Sequence, residues 1–290
     1  MVIIADGGST KTEWGFLSHG EKRRIKTRGF SPYFMTSDRI QEILEQDLLP
    51  QLLNPLQAEE IYYYGTGCTS ERNIDIISTA LTGTFQRAQL HITCDMTGAA
   101  RSLCGDEKGI ACILGTGSNS CYSNGAVIEK SSPSLGYLLG DEGSGAYLGK
   151  KLIRKYMYNN LDQETKKKLE HRFKIQQDVL LEELYKHPLV NRHLASFSVF
   201  LSENRGDPVV EEILFEGIND FFLFHINTYS ECREVPVHFT GSIAWYYKDV
   251  LQELCKRYDL RQGNIVKEPL DGLAAYHLRK AQRPIIPDVG

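Results

Sequence analysis

The chain has 290 residues, 41% of them hydrophobic and 24% charged, and a formal net charge of −4. It is long enough for two domains of ordinary size, and its balance is that of a soluble globular protein with no reason to expect nucleic acid or an anionic membrane as a partner. No apolar run approaches membrane-spanning length and the segment before Asp6 is too short for a signal peptide, so a cytoplasmic location is expected.

The first apolar run, Val2-Ile3-Ile4-Ala5, predicts a short strand ending in Asp6-Gly7-Gly8-Ser9-Thr10-Lys11-Thr12, and Trp14 to Leu17 predicts a second strand almost at once. Two adjacent glycines allow a tight turn with uncovered N–H groups, and Ser9, Thr10, Lys11 and Thr12 put hydroxyls and an ammonium around the same point. Such a turn can hold a phosphate. A Walker-type loop needs different spacing and must open a helix; here Ser18-His19-Gly20-Glu21 reads as a turn and Ile25 to Arg28 as a returning strand, so the turn belongs to a β-hairpin. Taken alone, Gly-Gly is equally a common hairpin connection.

After the loop Gly29-Phe30-Ser31-Pro32-Tyr33-Phe34, a helix is predicted from about Ser37, with Ile40, Ile43, Leu44 and Leu48 on its apolar face. Ile61 to Tyr64 predicts a strand running into Gly65-Thr66-Gly67, and Ser70 suits the cap of a following helix. Leu90 to Cys94 predicts the next strand, ending at Asp95. Alternating strands and helices predict a mixed sheet with helices on its faces.

Residues 110 to 120 repeat the opening. Ile110 to Leu114 predicts a buried strand, followed by Gly115-Thr116-Gly117-Ser118 and a second arm with a hairpin turn at Asn124-Gly125. Ser131 to Asp141 reads as a loop, and Glu142-Gly143-Ser144-Gly145-Ala146 as the start of a helix to about Asn159. The pattern then stays helical to Asn227, broken at His187-Pro188 and at Gly206-Asp207-Pro208. Val235 to Thr240 predicts a strand ending at Gly241-Ser242, then one helix through Leu254, a short strand over Gly263 to Val266, and a closing helix over Asp271 to Ala281. The repeat sets the boundaries: residues 1–108 with 271–290 form the N-terminal domain, and 109–270 the C-terminal domain with helical insertions.

The seven cysteines form none of the close pairs that zinc or redox motifs require, and the histidines are scattered. The chemistry gathers instead at strand ends, where ligands of open α/β sheets bind: Asp6, Gly65-Thr66-Gly67, Asp95, Gly115-Thr116-Gly117 and Gly241-Ser242. Phosphoryl transfer needs phosphate-holding amides, a divalent metal and a carboxylate that accepts the proton of the attacking hydroxyl. Asp6, flanking the first turn, is placed to face Mg²⁺ through water. Asp95 is the candidate base, with a helix N-cap as the lesser alternative; Asp141 presents the same choice, and there the two roles can coexist.

Taken together, Asp6 to Thr12, Thr93-Cys94-Asp95, Leu114 to Asn119, Gly136-Tyr137-Leu138-Leu139-Gly140-Asp141-Glu142-Gly143 and Gly241-Ser242 resemble the N-acetylglucosamine kinases and the related BadF/BadG/BcrA/BcrD ATPase family, in order over nearly the whole chain. They sit within the superfamily of actin, the heat-shock chaperones and many sugar kinases. The resemblance implies two actin-like, ribonuclease H-like α/β domains with mixed sheets flanked by helices and an ATP cleft between them. It also implies that Gly8, Ser9, Thr10, Lys11 and Thr12, with Gly115, Thr116, Gly117 and Ser118, hold ATP phosphates. Gly241 and Ser242 would then sit by the adenosine, Asp95 would be the base and Asp141 would bind sugar hydroxyls. Ser31, Tyr33, Thr66, Gly67 and Gly136 complete the expected substrate side. These kinases usually carry a sugar-contacting asparagine in the loop after the first hairpins, which Ser31-Pro32-Tyr33 lacks.

The function expected is an ATP- and Mg²⁺-dependent kinase acting on a hydroxyl, O6, of an N-acetylated amino sugar. N-acetylglucosamine leads, N-acetylmuramic acid or another sugar is the alternative, and a homodimer is left open. The competing reading is a partner-acting ATPase of the type that activates acyl-CoA dehydratases or reductases. Those activators share an iron–sulfur cluster between subunits, and the nearest cysteines here, Cys104 and Cys121, lack the surrounding pattern.

Overall fold

The protein is described by a computed structural model covering residues 1–18, 21–52, 55–187 and 189–282. Of the expected turn Ser18 to Glu21, His19 and Gly20 lie outside the described residues, as does Pro188 of the expected break. The chain forms two compact units, Met1–Glu107 with the stretch from Glu268 onward, and Lys108–Lys267.

Unit 1 opens with β1 (Val2–Gly7), β2 (Lys11–Ser18) and β3 (Glu21–Arg28), followed by α1 (Ser37–Ile43), β4 (Glu60–Gly65), α2 (Glu71–Thr84), β5 (Gln89–Cys94) and α3 (Asp95–Leu103). Its sheet has the order β3-β2-β1-β4-β5. The β1–β2 and β2–β3 pairs are antiparallel and the β1–β4 and β4–β5 pairs parallel, as expected of a mixed sheet. β1 is apolar from Val2 to Ala5, where both its faces are covered, before it ends in Asp6 and Gly7. Ile3 and Ala5 join Trp14, Phe16 and Tyr63 under α1 and α2, while Ile4 packs with Tyr64 on the other face. Ser70 caps α2 as expected, accepting from the Asn73 N–H. The helix expected beyond Ser37 continues as a π-helical stretch, Leu44–Leu48, which keeps Leu44 and Leu48 buried.

Unit 2 repeats the topology with β6 (Gly109–Leu114), β7 (Ser118–Ser123), β8 (Ile128–Ser131), β9 (Val237–Thr240) and β10 (Gln262–Val266) in the order β10-β9-β6-β7-β8. Between β8 and β9 run α4 (Gly136–Leu139), α5 (Gly145–Met157), α6 (Gln163–Phe173), α7 (Gln177–Lys186), α8 (Val190–Glu203) and α9 (Pro208–Phe221). Two of these depart from expectation. The stretch read as a loop to Asp141 contains α4, and the helix read from Glu142 begins at Gly145, because Ser144 is extended (φ −76°, ψ 167°) and its hydroxyl accepts from the Tyr147 N–H. The single helix expected after β9 is two, α10 (Ser242–Tyr246) and α11 (Lys248–Arg257), divided at the buried Tyr247.

The chain then returns to unit 1 as α12 (Leu270–Gln282), whose Leu270, Leu273 and Ala274 cover Ile4 and Tyr64. The small residues noted in this helix have a physical use. A Cβ at Gly272 would stand 2.2 Å from Ser102 Oγ on α3.

Candidate active site

In unit 1 the register sets the geometry. Gly7, Gly65 and Cys94 are level across β1, β4 and β5, so the next residues along β4 and β5 are Thr66 and Asp95. Asp6 stands one residue earlier on β1. The Thr66 N–H donates to Gly7 O at 2.8 Å and its hydroxyl donates to Asp95 Oδ2 at 2.7 Å. Oδ1 of Asp95 accepts from the Met96 N–H at 2.9 Å. Asp95 is therefore not the N-cap that its position allowed: it is the first residue of α3, and Cys94 occupies the cap position without a side-chain bond.

Asp6 and Asp95 are half-buried. Enclosure by protein, reinforced by Glu13 and then Asp95 and opposed by Lys11, pushes the Asp6 carboxyl up to about 7. The Asp95 carboxyl is raised as well, by the same enclosure, while the Thr66 hydroxyl and the Met96 N–H pull it down.

The first glycine turn is closed by Gly8 N–H to Lys11 O and backed by Gly29 N–H to Thr10 O, both at 3.0 Å. Tight packing requires glycine at the strand end, since a Cβ at Gly7 would lie 2.2 Å from Oη of the buried Tyr63. Gly8 and Ser9 are half-buried and Thr10 is exposed. Two expected phosphate contacts point elsewhere. Thr12 lies on β2 with its hydroxyl in the interior, and the Lys11 ammonium is held by Glu13 at 2.6 Å and Glu268 at 2.8 Å. Lys26 binds the same two carboxylates. Glu13 is buried, and sequence reasoning missed it and Glu268, which lies 257 residues beyond Lys11. The Asp6-opposite position of Glu13 in the hairpin was the signal available for the first; nothing in the sequence pointed to the second.

The loop expected to read the sugar divides in two. Ser31 is buried and its hydroxyl stays inside the loop, facing the Tyr33 N–H at 3.4 Å, so the hydroxyl contact expected of it is not presented. Tyr33 is 61% exposed, with its hydroxyl 3.3 Å from Thr69 Oγ1. Gly67 lies beneath the ring at φ 84°, and a Cβ there would stand 2.9 Å from Tyr33 Cε2. The Asn73 side chain braces this turn by donating to Gly67 O at 2.8 Å.

In unit 2 the second turn is closed by Gly115 N–H to Gly117 O at 2.9 Å. The start of α5 is tied to it, with the Gly145 and Ala146 N–H groups donating to Gly115 O and Thr116 O. Asp141 is not a cap either. It adopts a left-handed backbone, φ 57°, and its carboxylate lies against the turn, accepting from the Ser118 N–H at 3.4 Å, while Ser118 Oγ donates to Glu142 O at 2.7 Å. A Cβ at Gly117 would sit 3.0 Å from Asp141 Oδ2. Enclosure pushes the Asp141 carboxyl up to about 6. Glu142 pairs at 3.1 Å with Nε2 of His225, a buried ring stacked on Phe221. At the end of β9, Gly241 takes φ 111°, where a Cβ would lie 2.3 Å from Leu114 O; Ser242 is exposed at the start of α10, and Gly136 opens α4 at φ 68°.

Among the described residues no three His, Cys, Asp or Glu side chains converge as a metal cage. Mg²⁺ needs no such cage, since it binds through one or two carboxylates together with substrate phosphates. A carboxyl whose surroundings disfavour its lone negative charge, as those of Asp6 do, fits a cation. No helix among the described residues is long and apolar enough to cross a membrane.

No protein-family model and no curated protein matches the sequence. Among solved structures, the chain is similar to a candidate N-acetylglucosamine kinase from Porphyromonas gingivalis at 34% identity and a TM-score of 0.92, over 97% of this chain and 100% of the other. A second candidate N-acetylglucosamine kinase, from Chromobacterium violaceum, shares the fold at 18% identity and a TM-score of 0.69, over 95% and 98% of the two chains. A ROK family glucokinase from Streptomyces griseus, in complex with glucose and AMPPNP, does so at 16% identity and 0.60, over 96% and 99%.

Proposed function

The chain belongs to the N-acetylglucosamine kinase family of the actin-like sugar kinases, and from that premise we propose that it transfers the γ-phosphoryl group of ATP to O6 of an N-acetylated amino sugar, with N-acetylglucosamine the leading acceptor. It is a phosphotransferase with ATP as donor and a small-molecule sugar as acceptor. The observation that carries phosphoryl transfer to a hydroxyl is Asp95, a carboxylate at a strand end with a donor on each of its two oxygens and a pKa raised by enclosure.

Asp95 accepts the proton of the attacking sugar hydroxyl. Enclosure raises its pKa above the ordinary carboxylate value, which makes it a stronger base than an exposed aspartate. The turns Gly8 to Thr10 and Gly115 to Ser118 hold phosphates through backbone N–H groups and hydroxyls. Gly241 leaves room beside the end of β6 for the adenosine, with Ser242 at its edge. Asp6 is the carboxylate that would hold Mg²⁺, which would supply neutralisation of phosphate charge. On unit 1, Tyr33 and Gly67 form the sugar-side surface in place of the missing asparagine; on unit 2, the Asp141 carboxylate is suited to accept from a hydroxyl, with Gly136 leading into its loop.

The partner-acting ATPase fares worse, because Cys104 and Cys121 are both buried and present no thiolate to a cluster shared with another subunit. A coupled ADP-release assay over N-acetylglucosamine, N-acetylmannosamine, N-acetylmuramic acid and glucose, with a no-sugar control, tests the proposal. Turnover should require an N-acetylated sugar, and a product carrying phosphate at O6 should be seen by NMR. Turnover indifferent to sugar would return the ATPase reading.

A further inference from the structure

We infer that Thr66 is a positioning residue: its hydroxyl fixes the Asp95 carboxylate in the one orientation from which the base can meet the acceptor hydroxyl. The inference rests on the proposed role of Asp95.

The sequence invites a different role for Thr66, a direct contact with the sugar. The geometry argues against it. The hydroxyl hydrogen is already spent on Asp95 Oδ2 at 2.7 Å, so only oxygen lone pairs remain for any other partner. A bond from a hydroxyl to a carboxylate is charge-assisted and among the stronger hydrogen bonds available to a side chain.

What that bond does follows from the second donor. The Met96 N–H holds Oδ1 at 2.9 Å. With one donor the carboxylate could turn about its Cβ–Cγ bond and keep a partner; with donors on both oxygens, turning loses both. Each oxygen keeps a free lone pair, and its direction is set.

The hydroxyl itself is aimed by backbone. The Thr66 N–H is anchored to Gly7 O at 2.8 Å, the Cys68 N–H closes back on Gly65 O at 3.2 Å, and Asn73 braces Gly67 O at 2.8 Å. Thr66 is β-branched, which leaves it few side-chain rotamers. One residue thus ties the end of β1, beside Asp6, to the base at the start of α3.

Three proteins test this: Thr66→Val, which keeps the shape and the backbone N–H, Thr66→Ser, which keeps the hydroxyl, and Thr66→Val combined with Asp95→Asn. A misaimed base is expected to lower kcat about 10- to 100-fold in Thr66→Val while the KM for sugar stays within about threefold. Thr66→Ser should recover most of kcat, and in the Asp95→Asn background Thr66→Val should cost little more. Crystal structures of the parent and Thr66→Val proteins give a reading that needs no activity: the carboxylate should leave its parental orientation in the valine variant. If no sugar is phosphorylated by the parent, the proposed function fails while this structural comparison still decides the claim about Thr66. A raised KM with unchanged kcat would make Thr66 a sugar ligand and overturn the inference. So would equal losses in the valine and serine variants, or an unmoved carboxylate.

Discussion

The two units share one strand order, yet their equivalent turns are built from different chemistry. In unit 1, Asp6 faces Glu13 across the first hairpin, and Lys11, Lys26 and Glu268 gather around Glu13. In unit 2 the matching pair is Ile113 and Asn119, and the acid at the turn, Asp141, arrives from a loop more than twenty residues later in the chain, 23 residues from Ser118. The duplicated sheet supplies position twice, but charge enters by different routes. In unit 1 Asp6, Lys11, Glu13 and Lys26 are written into the strands themselves and only Glu268 arrives from afar; in unit 2 the acid comes from outside the hairpin.

The largest expected effect sharpens that contrast. Asp95→Asn should keep the fold and lower turnover by a factor of about 10² to 10⁴, the usual cost of losing a general base, because an amide can keep its oxygen on the Met96 N–H and donate its NH2 to the Thr66 hydroxyl oxygen but takes no proton. A steady-state assay beside a thermal melt separates the two. Turnover within a few-fold of the parent would leave unit 1 without its base.

A pair of alanines breaks the comparison at the turns. Gly7→Ala drives a Cβ to within 2.2 Å of Oη of the buried Tyr63, and overpacking of this kind costs about 1 to 3 kcal/mol. Gly115→Ala meets nothing nearer than 3.9 Å and the residue is not at positive φ, so its unfolding free energy should stay within about 0.5 kcal/mol of the parent. Urea unfolding of each variant is the measurement; equal losses would mean that the two turns are packed alike after all.

The smallest effect concerns pH. Enclosure raises the Asp141 carboxyl from an ordinary 3.8 to about 6, so between those values the folded chain binds more protons than the unfolded one and stability falls as pH rises, levelling above about 6. Asparagine carries no such burden and tolerates the left-handed backbone at φ 57°. Asp141→Asn should therefore melt a few degrees higher than the parent at pH 7 and no higher near pH 4. A gain that persists at pH 4 would trace to something other than the charge.

Much of this was legible in the sequence. The strand ends, the cap at Ser70 and the duplicated hairpin follow from apolar runs bounded by glycine, because a covered strand has no other way to read. The caps expected of Asp95 and Asp141 did not form. Ser144 stands nearer the start of α5, and Asp95 falls inside its helix, where its oxygens are claimed by Thr66 and Met96. Which way Lys11 and Thr12 point, and that Ser31 turns inward, depends on partners far along the chain and on strand pairing, neither of which local pattern contains.

The discontinuity of unit 1 bears on how the protein is made. Unit 2 is one unbroken stretch, Lys108–Lys267, whereas Ile4 and Tyr64, laid down early, are covered by Leu270 and Leu273 of α12. On the ribosome, residues 1–107 must wait through the synthesis of an entire second unit with part of one sheet face covered by α3 and the rest still open, and exposed apolar surface in a nascent chain invites misassembly. A chain lacking α12 would leave Ile4 and Tyr64 without the cover of Leu270, Leu273 and Ala274, so unit 1 depends for its packing on residues made after the whole of unit 2.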